Sequence, residues 1–314
     1  MVNRELIRLK TVQIVYSYYL NGRDELGAQG VNASEKELTV SLDKAYELYL
    51  SLLALLVEIK RVAVEDVEHK QMRNKQLGIT EPVNTRFANN RLLQMLCQNE
   101  QLLEFREKNN QIWIEDDAVI ESMYNGFIQS SDYEAYLNEE DSFKADQTAV
   151  RNFYRLMVCN NDELHDTLED KCIYWNDDKF IIDTFVLKTI KLFKEDSTKD
   201  MVLLPQYNSN EELEYAVKLL RHAIENDKYY RSLIESNSKG WDMKRIALMD
   251  KVIIQIGLAE IISFPNIPVA VSINEYVNIA KMYSAGRNSS AYINATLDVI
   301  AKQLQSEHKI IDKI

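Results

Sequence analysis

Eight glycines and four prolines in 314 residues leave this chain few ways to turn. Gly and Pro are the residues that interrupt helices and make tight turns, so their scarcity beside abundant Leu, Ile, Glu, Lys and Asn favours long helices with short connections. The expectation is an all-α fold, and the apolar periodicity agrees with it. From Arg4 to Leu20, the residues Leu6, Leu9, Val12, Tyr16 and Leu20 recur at helical spacing, and Asn21-Gly22 supplies a stop. Ser34-Glu35-Lys36-Glu37 has the spacing of a capping box and is expected to open a helix running to about Gln76. Further helical patterns cover 84–108, 117–129, 145–159, 163–172 and 179–194. A polar stretch at 196–210, which contains Pro205, reads as the main linker. Beyond it the patterns cover 211–226, 228–235, 243–263, 272–283 and 289–305, with Pro265 and Pro268 stopping the third of these. Ser272-Ile273-Asn274-Glu275 reads as a second capping box.

A weak echo runs through the chain at an offset of 66, pairing Arg155 with Arg221, Asn160 with Asn226, Glu169 with Glu235, Trp175 with Trp241, Val186 with Val252 and Ile190 with Ile256. It fits either a degenerate repeat or two unrelated helical units that each use a Trp to plug a corner.

The net charge of −12 argues against a nucleic-acid ligand if it is spread evenly, but it is not. Residues 1–21 carry +2, residues 243–314 carry another +2, and −16 falls on residues 22–242. Both ends are therefore mildly basic and suited to a polyanion, whereas the middle is acidic. The three cysteines, Cys97, Cys159 and Cys172, have no C-x-x-C spacing, so they indicate neither a disulfide framework nor a zinc site. The four histidines are scattered, with only the commonplace spacings Glu65-x-x-x-His69 and His165-Asp166 at metal-ligand distance in sequence, and no glycine-rich phosphate loop or nucleophile elbow is present. No cofactor, metal or catalysis is expected. No apolar run reaches the roughly 18 residues a membrane helix needs, and the amino terminus has no signal-peptide core, so the expected location is cytoplasmic.

Two linked motifs carry a resemblance. Ser272-Ile-Asn-Glu-Tyr-Val-Asn-Ile-Ala-Lys281, followed by Ser290-Ala-Tyr-Ile-Asn-Ala-Thr-Leu-Asp298, resembles the paired I-N-E-x-(V/I)-x-(L/I)-A-K and F-V-N-G-x-L-D helices of the NusB family. The segment from Met249 to Glu260 resembles the family helix that precedes them, and Arg4 to Tyr19, with Gln13 and Tyr16, resembles its first helix. The resemblance implies a NusB-like helical bundle of two packed subdomains. Its first helix would be residues 1–21 and its main body residues 206–314, separated by an acidic helical insertion over 22–205.

The same resemblance implies a non-enzymatic transcription antitermination factor in ribosomal RNA synthesis. It would bind a single-stranded, boxA-like ribosomal RNA leader together with a small-subunit ribosomal protein acting as NusE, within the transcription elongation complex. Carried onto this chain, RNA contact falls to Arg4 and Arg8, with Lys10 adding charge, and Tyr292 stands at the family's aromatic position. Asp250 and Gln255 lie on the helix that faces the ribosomal partner. From the residues themselves, Tyr18 or Tyr19 is a candidate for stacking on a base and Arg287, in an interhelical loop, for reaching RNA. Glu5, Leu6, Ala291 and Ala295 depart from the family's pattern, where arginine, arginine, lysine and glycine are common. Those departures leave room for an alternative, a protein-interaction scaffold that kept the fold and lost RNA. An RNA methyltransferase carrying such a domain is disfavoured, because no methyl-donor site accompanies it.

Overall fold

The computed structural model describes residues 1–109, 112–237, 246–284, 286 and 288–310, and among them there is no β-strand. The helices are α1 (Arg4–Leu20), α2 (Ala28–Leu77), α3 (Arg91–Gln98), α4 (Glu100–Lys108), α5 (Asp117–Ile128), α6 (Ser131–Asn138), α7 (Phe143–Phe153), α8 (Asp162–Lys171), α9 (Lys179–Leu192), α10 (Asn210–Glu225), α11 (Asp227–Asn237), α12 (Leu248–Ser263), α13 (Val269–Tyr283) and α14 (Ser289–Ser306). The chain is all-α, as its shortage of turn-formers requires. It divides into two compact units: a terminal unit of residues 2–43 and 207–314, and a middle unit of Met1 with residues 44–206. The terminal unit resumes at residue 207, inside the polar 196–210 stretch, and it includes residues 22–43.

In the terminal unit α12 is the central helix. Val252, Ile253, Ile254, Ile256, Leu258 and Ala259 are all fully buried, because a helix that is apolar on every side must be enclosed by others. α1, α10, α11, α13 and α14 pack around it. Gly257 allows the close approach of Leu297 from α14, whose methyl carbons would lie 3.1 Å from an added Cβ. In the middle unit the run from Leu48 to Ile59 on α2 is buried on nearly all sides. Two tryptophans pin it by donating to its backbone, Trp113 Nε1 to Ser51 O at 2.8 Å and Trp175 Nε1 to Lys44 O at 2.8 Å. Trp175 thus does plug a corner, whereas its echo partner Trp241 lies outside the described residues.

Both expected capping boxes fail, and for the same reason. α2 begins at Ala28, before Ser34, and α13 begins at Val269 after Pro268, before Ser272, so neither serine caps a helix. Ser34 is buried and accepts from Arg23, which also pairs with Glu37. Ser272 donates to Glu260 instead. A helix can start ahead of a capping sequence when tertiary partners claim its side chains. The capping box that does form is Ser209 with Glu212, at the start of α10.

The π turn at Tyr154–Val158 ends in carbonyls that need a donor. Lys179, at the start of α9, supplies it through Nζ to Val158 O (2.7 Å) and Cys159 O (3.0 Å), and it also pairs with Asp183 at 2.9 Å. Tyr154 OH donates to the other oxygen of Asp183 at 2.6 Å, which leaves this buried carboxylate satisfied.

Candidate nucleic-acid interface

The site grows out of a buried carboxylate. Glu260 on α12 is fully buried, and a charge there is tolerable only if its oxygens are engaged. Arg8 donates to them through Nε (2.8 Å) and Nη2 (2.9 Å), Ser272 through Oγ (2.6 Å), and Tyr276 OH at 3.0 Å, while Tyr215 OH adds a further bond at 2.5 Å. The remaining guanidinium nitrogen of Arg8 lies 3.2 Å from Glu275. Burial alone would raise the Glu260 pKa, but Arg8 and the hydroxyl donors outweigh it, and the carboxyl is held below its ordinary value. This hub ties α1, α10, α12 and α13 together.

Above the hub, the buried ring of Tyr215 and the half-buried ring of Phe264 underlie two exposed cations, Arg4 and Lys218. The Arg4 guanidinium lies 5.2 Å from the centroid of the Tyr215 ring, whose hydroxyl reaches down to Glu260. Tyr215 packs edge-on against Phe264, with centroids 4.8 Å apart, and Lys218 Nζ lies 4.9 Å from the Phe264 centroid. Arg4 and Lys218 are exposed and Phe264 is half-buried, so two cations and an aromatic edge share one stretch of surface. The exposed cations offer phosphate neutralisation, and the accessible part of the Phe264 ring offers an edge for a base, the two interactions single-stranded nucleic acid uses.

Several residues expected to contact ligands are placed elsewhere. Arg8, only 4 % exposed, is engaged by two carboxylates, and Lys10 is buried at 1 % exposure, so neither presents its charge to a phosphate. α1 is enclosed rather than one-sided: Leu6 to Val12 are consecutively buried. Tyr18 is buried as well and touches Tyr19 edge-on, which removes its face from any base. Asp250 is buried with its carboxylate accepting from Ser284 (2.6 Å) and Ser289 (2.8 Å), which fastens the α13–α14 connection rather than meeting a partner. Gln255 is buried and donates to Tyr19 OH (2.8 Å) and Ala223 O (2.6 Å). Arg4 remains exposed, Tyr292 is half-buried in the first turn of α14, and Arg287 lies outside the described residues. Lys218 and Phe264 were not singled out from the sequence. Separated by 46 positions, they carry no local signal that they meet.

The terminal unit is an all-helical bundle built on a buried Arg–Glu hub, and among the described residues no helix is long and apolar enough to cross a membrane. The NusB family model matches residues 179–302, which takes in α9 of the middle unit and α10 to α13 and most of α14. The transcription antitermination protein NusB of Acetivibrio thermocellus is 34% identical over 112 residues, covering 35% of this chain and 77% of that protein. The protein of the same name from Clostridium tetani is 40% identical over 93 residues, 30% of this chain and 60% of its own length. That of Chloroherpeton thalassium is 31% identical over 94 residues, 30% and 44% of the two chains. No solved structure matches. The chain belongs to the NusB family, as an enlarged member.

Proposed function

We propose that this protein is a non-enzymatic, RNA-binding transcription antitermination factor acting on ribosomal RNA transcripts. In this reading it binds a single-stranded leader carrying a boxA-like element, together with a small-subunit ribosomal protein in the role of NusE, within a cytoplasmic elongation complex. The observation that carries the reading is the Arg4–Tyr215–Phe264–Lys218 face, where two exposed cations lie over contacting rings. The antitermination role is supported by the relatives, whose names call them transcription antitermination proteins. Charge distribution supports it: the middle unit holds 19 Lys and Arg against 30 Asp and Glu, a net −11 of the total −12, so the terminal unit is nearly neutral and does not repel a polyanion. Tyr292 is retained as a stacking candidate on α14.

The second reading, a protein-interaction scaffold without RNA, is favoured by one observation. Arg8 and Lys10, two of the three basic groups on α1, are buried. The two readings separate in a binding experiment with purified protein and a single-stranded ribosomal leader RNA at two salt concentrations, with and without the ribosomal protein. The antitermination reading expects salt-sensitive RNA binding that the ribosomal protein strengthens. Binding of the ribosomal protein with no RNA bound in either case would establish the scaffold instead.

A further inference from the structure

A cleft in the terminal unit lies away from the residues of the Arg4 face. It is a cleft of about 250 Å3 formed by the end of α1, α11 and the first half of α12, and it is lined by Tyr19, Arg231, Ile234, Lys251, Val252 and Gln255 among others. Its volume is below the range of drug-sized ligand pockets and suits a single ring system. Ile234 and Val252 are buried and give it apolar walls. The Arg231 guanidinium lies 5.5 Å from the centroid of the Tyr19 ring and is held there by Asp227 at 2.7 Å, so the cation and ring form a fixed pair. Gln255 is 4 % exposed, and its Nε2 donates to Tyr19 OH and Ala223 O. Both amide hydrogens are thereby used, and Oε1 is the atom left to accept from a ligand. Lys251 brings a second cation and Glu235 a carboxylate, so the lining carries a net charge of +1 and suits one negative charge rather than a polyphosphate.

A ligand matching these groups has a flat body for the Tyr19–Arg231 pair and the apolar walls, an N–H donor for Gln255, and one negative charge near Lys251. We propose that the cleft receives one nucleotide of the bound single-stranded RNA, its base between the Tyr19–Arg231 pair and the Ile234–Val252 wall and its phosphate at Lys251. This inference rests on the RNA-binding reading and extends it to a second contact, built from residues the Arg4 face does not use.

The test uses the full chain and a single-stranded ribosomal leader RNA oligonucleotide. Ultraviolet cross-linking followed by peptide mass spectrometry is expected to join the RNA to the peptide containing Tyr19. Lys251→Gln, and Leu248→Trp placed at the rim to fill the cleft, are each expected to weaken RNA binding by about tenfold and to remove that cross-link, with circular dichroism unchanged from the parent. RNA binding at parental affinity by both variants, with cross-links confined to other peptides, overturns the cleft assignment and leaves the RNA reading intact. Absence of RNA binding by the unsubstituted protein, with or without the ribosomal protein, overturns both. Protection of Lys251 from acylation by the ribosomal protein but not by RNA assigns the cleft to a protein contact and also overturns the proposal.

Discussion

Arg8 and Glu260 stand 252 positions apart in the chain and meet in two parallel hydrogen bonds of 2.8 and 2.9 Å. Three hydroxyls complete the carboxylate's shell, so the pair is buried with its charge fully engaged. Removing one partner leaves the other as an uncompensated buried charge, and Arg8→Ala is expected to destabilise the protein by about 3–5 kcal/mol. Equilibrium denaturation in urea checks this. A loss below about 1 kcal/mol would mean that the pair is not closed to solvent in solution.

The same hub predicts the response to acid. Glu260 has a folded pKa below its ordinary value of 4.5, so the folded state holds its proton less tightly than the unfolded state does. The stability it contributes is complete above pH 4.5 and is lost as the pH falls through the lower folded pKa. Thermal melts across that acid window should drop more steeply for the parent than for Glu260→Gln. Equal slopes would remove Glu260 from the acid transition.

For the exposed face, Lys218→Ala is expected to weaken RNA binding at low salt and to reduce the slope of log affinity against log salt by about 0.7, the contribution of one single-strand phosphate contact. Arg4→Ala should do the same. Titrations at several salt concentrations measure both, and Arg8→Met in a stabilised background should leave the slope unchanged because that guanidinium faces Glu260.

In the middle unit, burial and then Asp183 push the Cys159 thiol up to about 11. Little thiolate is present at pH 8, so alkylation of Cys159 by iodoacetamide should be slow in the native protein and become fast on unfolding. Peptide mapping after timed quenching reads this directly. Rapid native modification would show that the Tyr154–Lys179–Asp183 cluster is open.

Gly30 on α2 offers a steric test. A Cβ there would lie 2.1 Å from the carbonyl oxygen of Arg23, a backbone atom that cannot swing aside as a side chain can. Gly30→Ala should therefore cost about 1–3 kcal/mol, despite the roughly 1 kcal/mol that alanine normally gains over glycine within a helix. A stabilised variant would show that the connection from Arg23 to Leu26 is free to move.

The sequence alone determined most of the long helices, because periodicity and the spacing of Gly and Pro are local properties of the chain. The stretch expected to run to about Gln76 ends at Leu77, the pattern at 117–129 becomes Asp117–Ile128, and that at 179–194 becomes Lys179–Leu192. The motifs from Ser272 to Lys281 and from Ser290 to Asp298 identified the family for the same reason, since each lies within one helix. Short or tertiary-dependent features were not legible: α6 went unread, and both expected capping boxes were displaced by helices that start earlier. Which basic residues reach solvent was decided only by the tertiary structure. Arg4 and Arg8 are one turn apart on α1 and look equivalent in sequence, yet Arg8 meets a buried carboxylate 252 positions away and Arg4 stays exposed over the Tyr215 ring. A buried charge takes its partner from whatever the fold brings within about 3 Å, and local spacing carries no record of contacts at that separation.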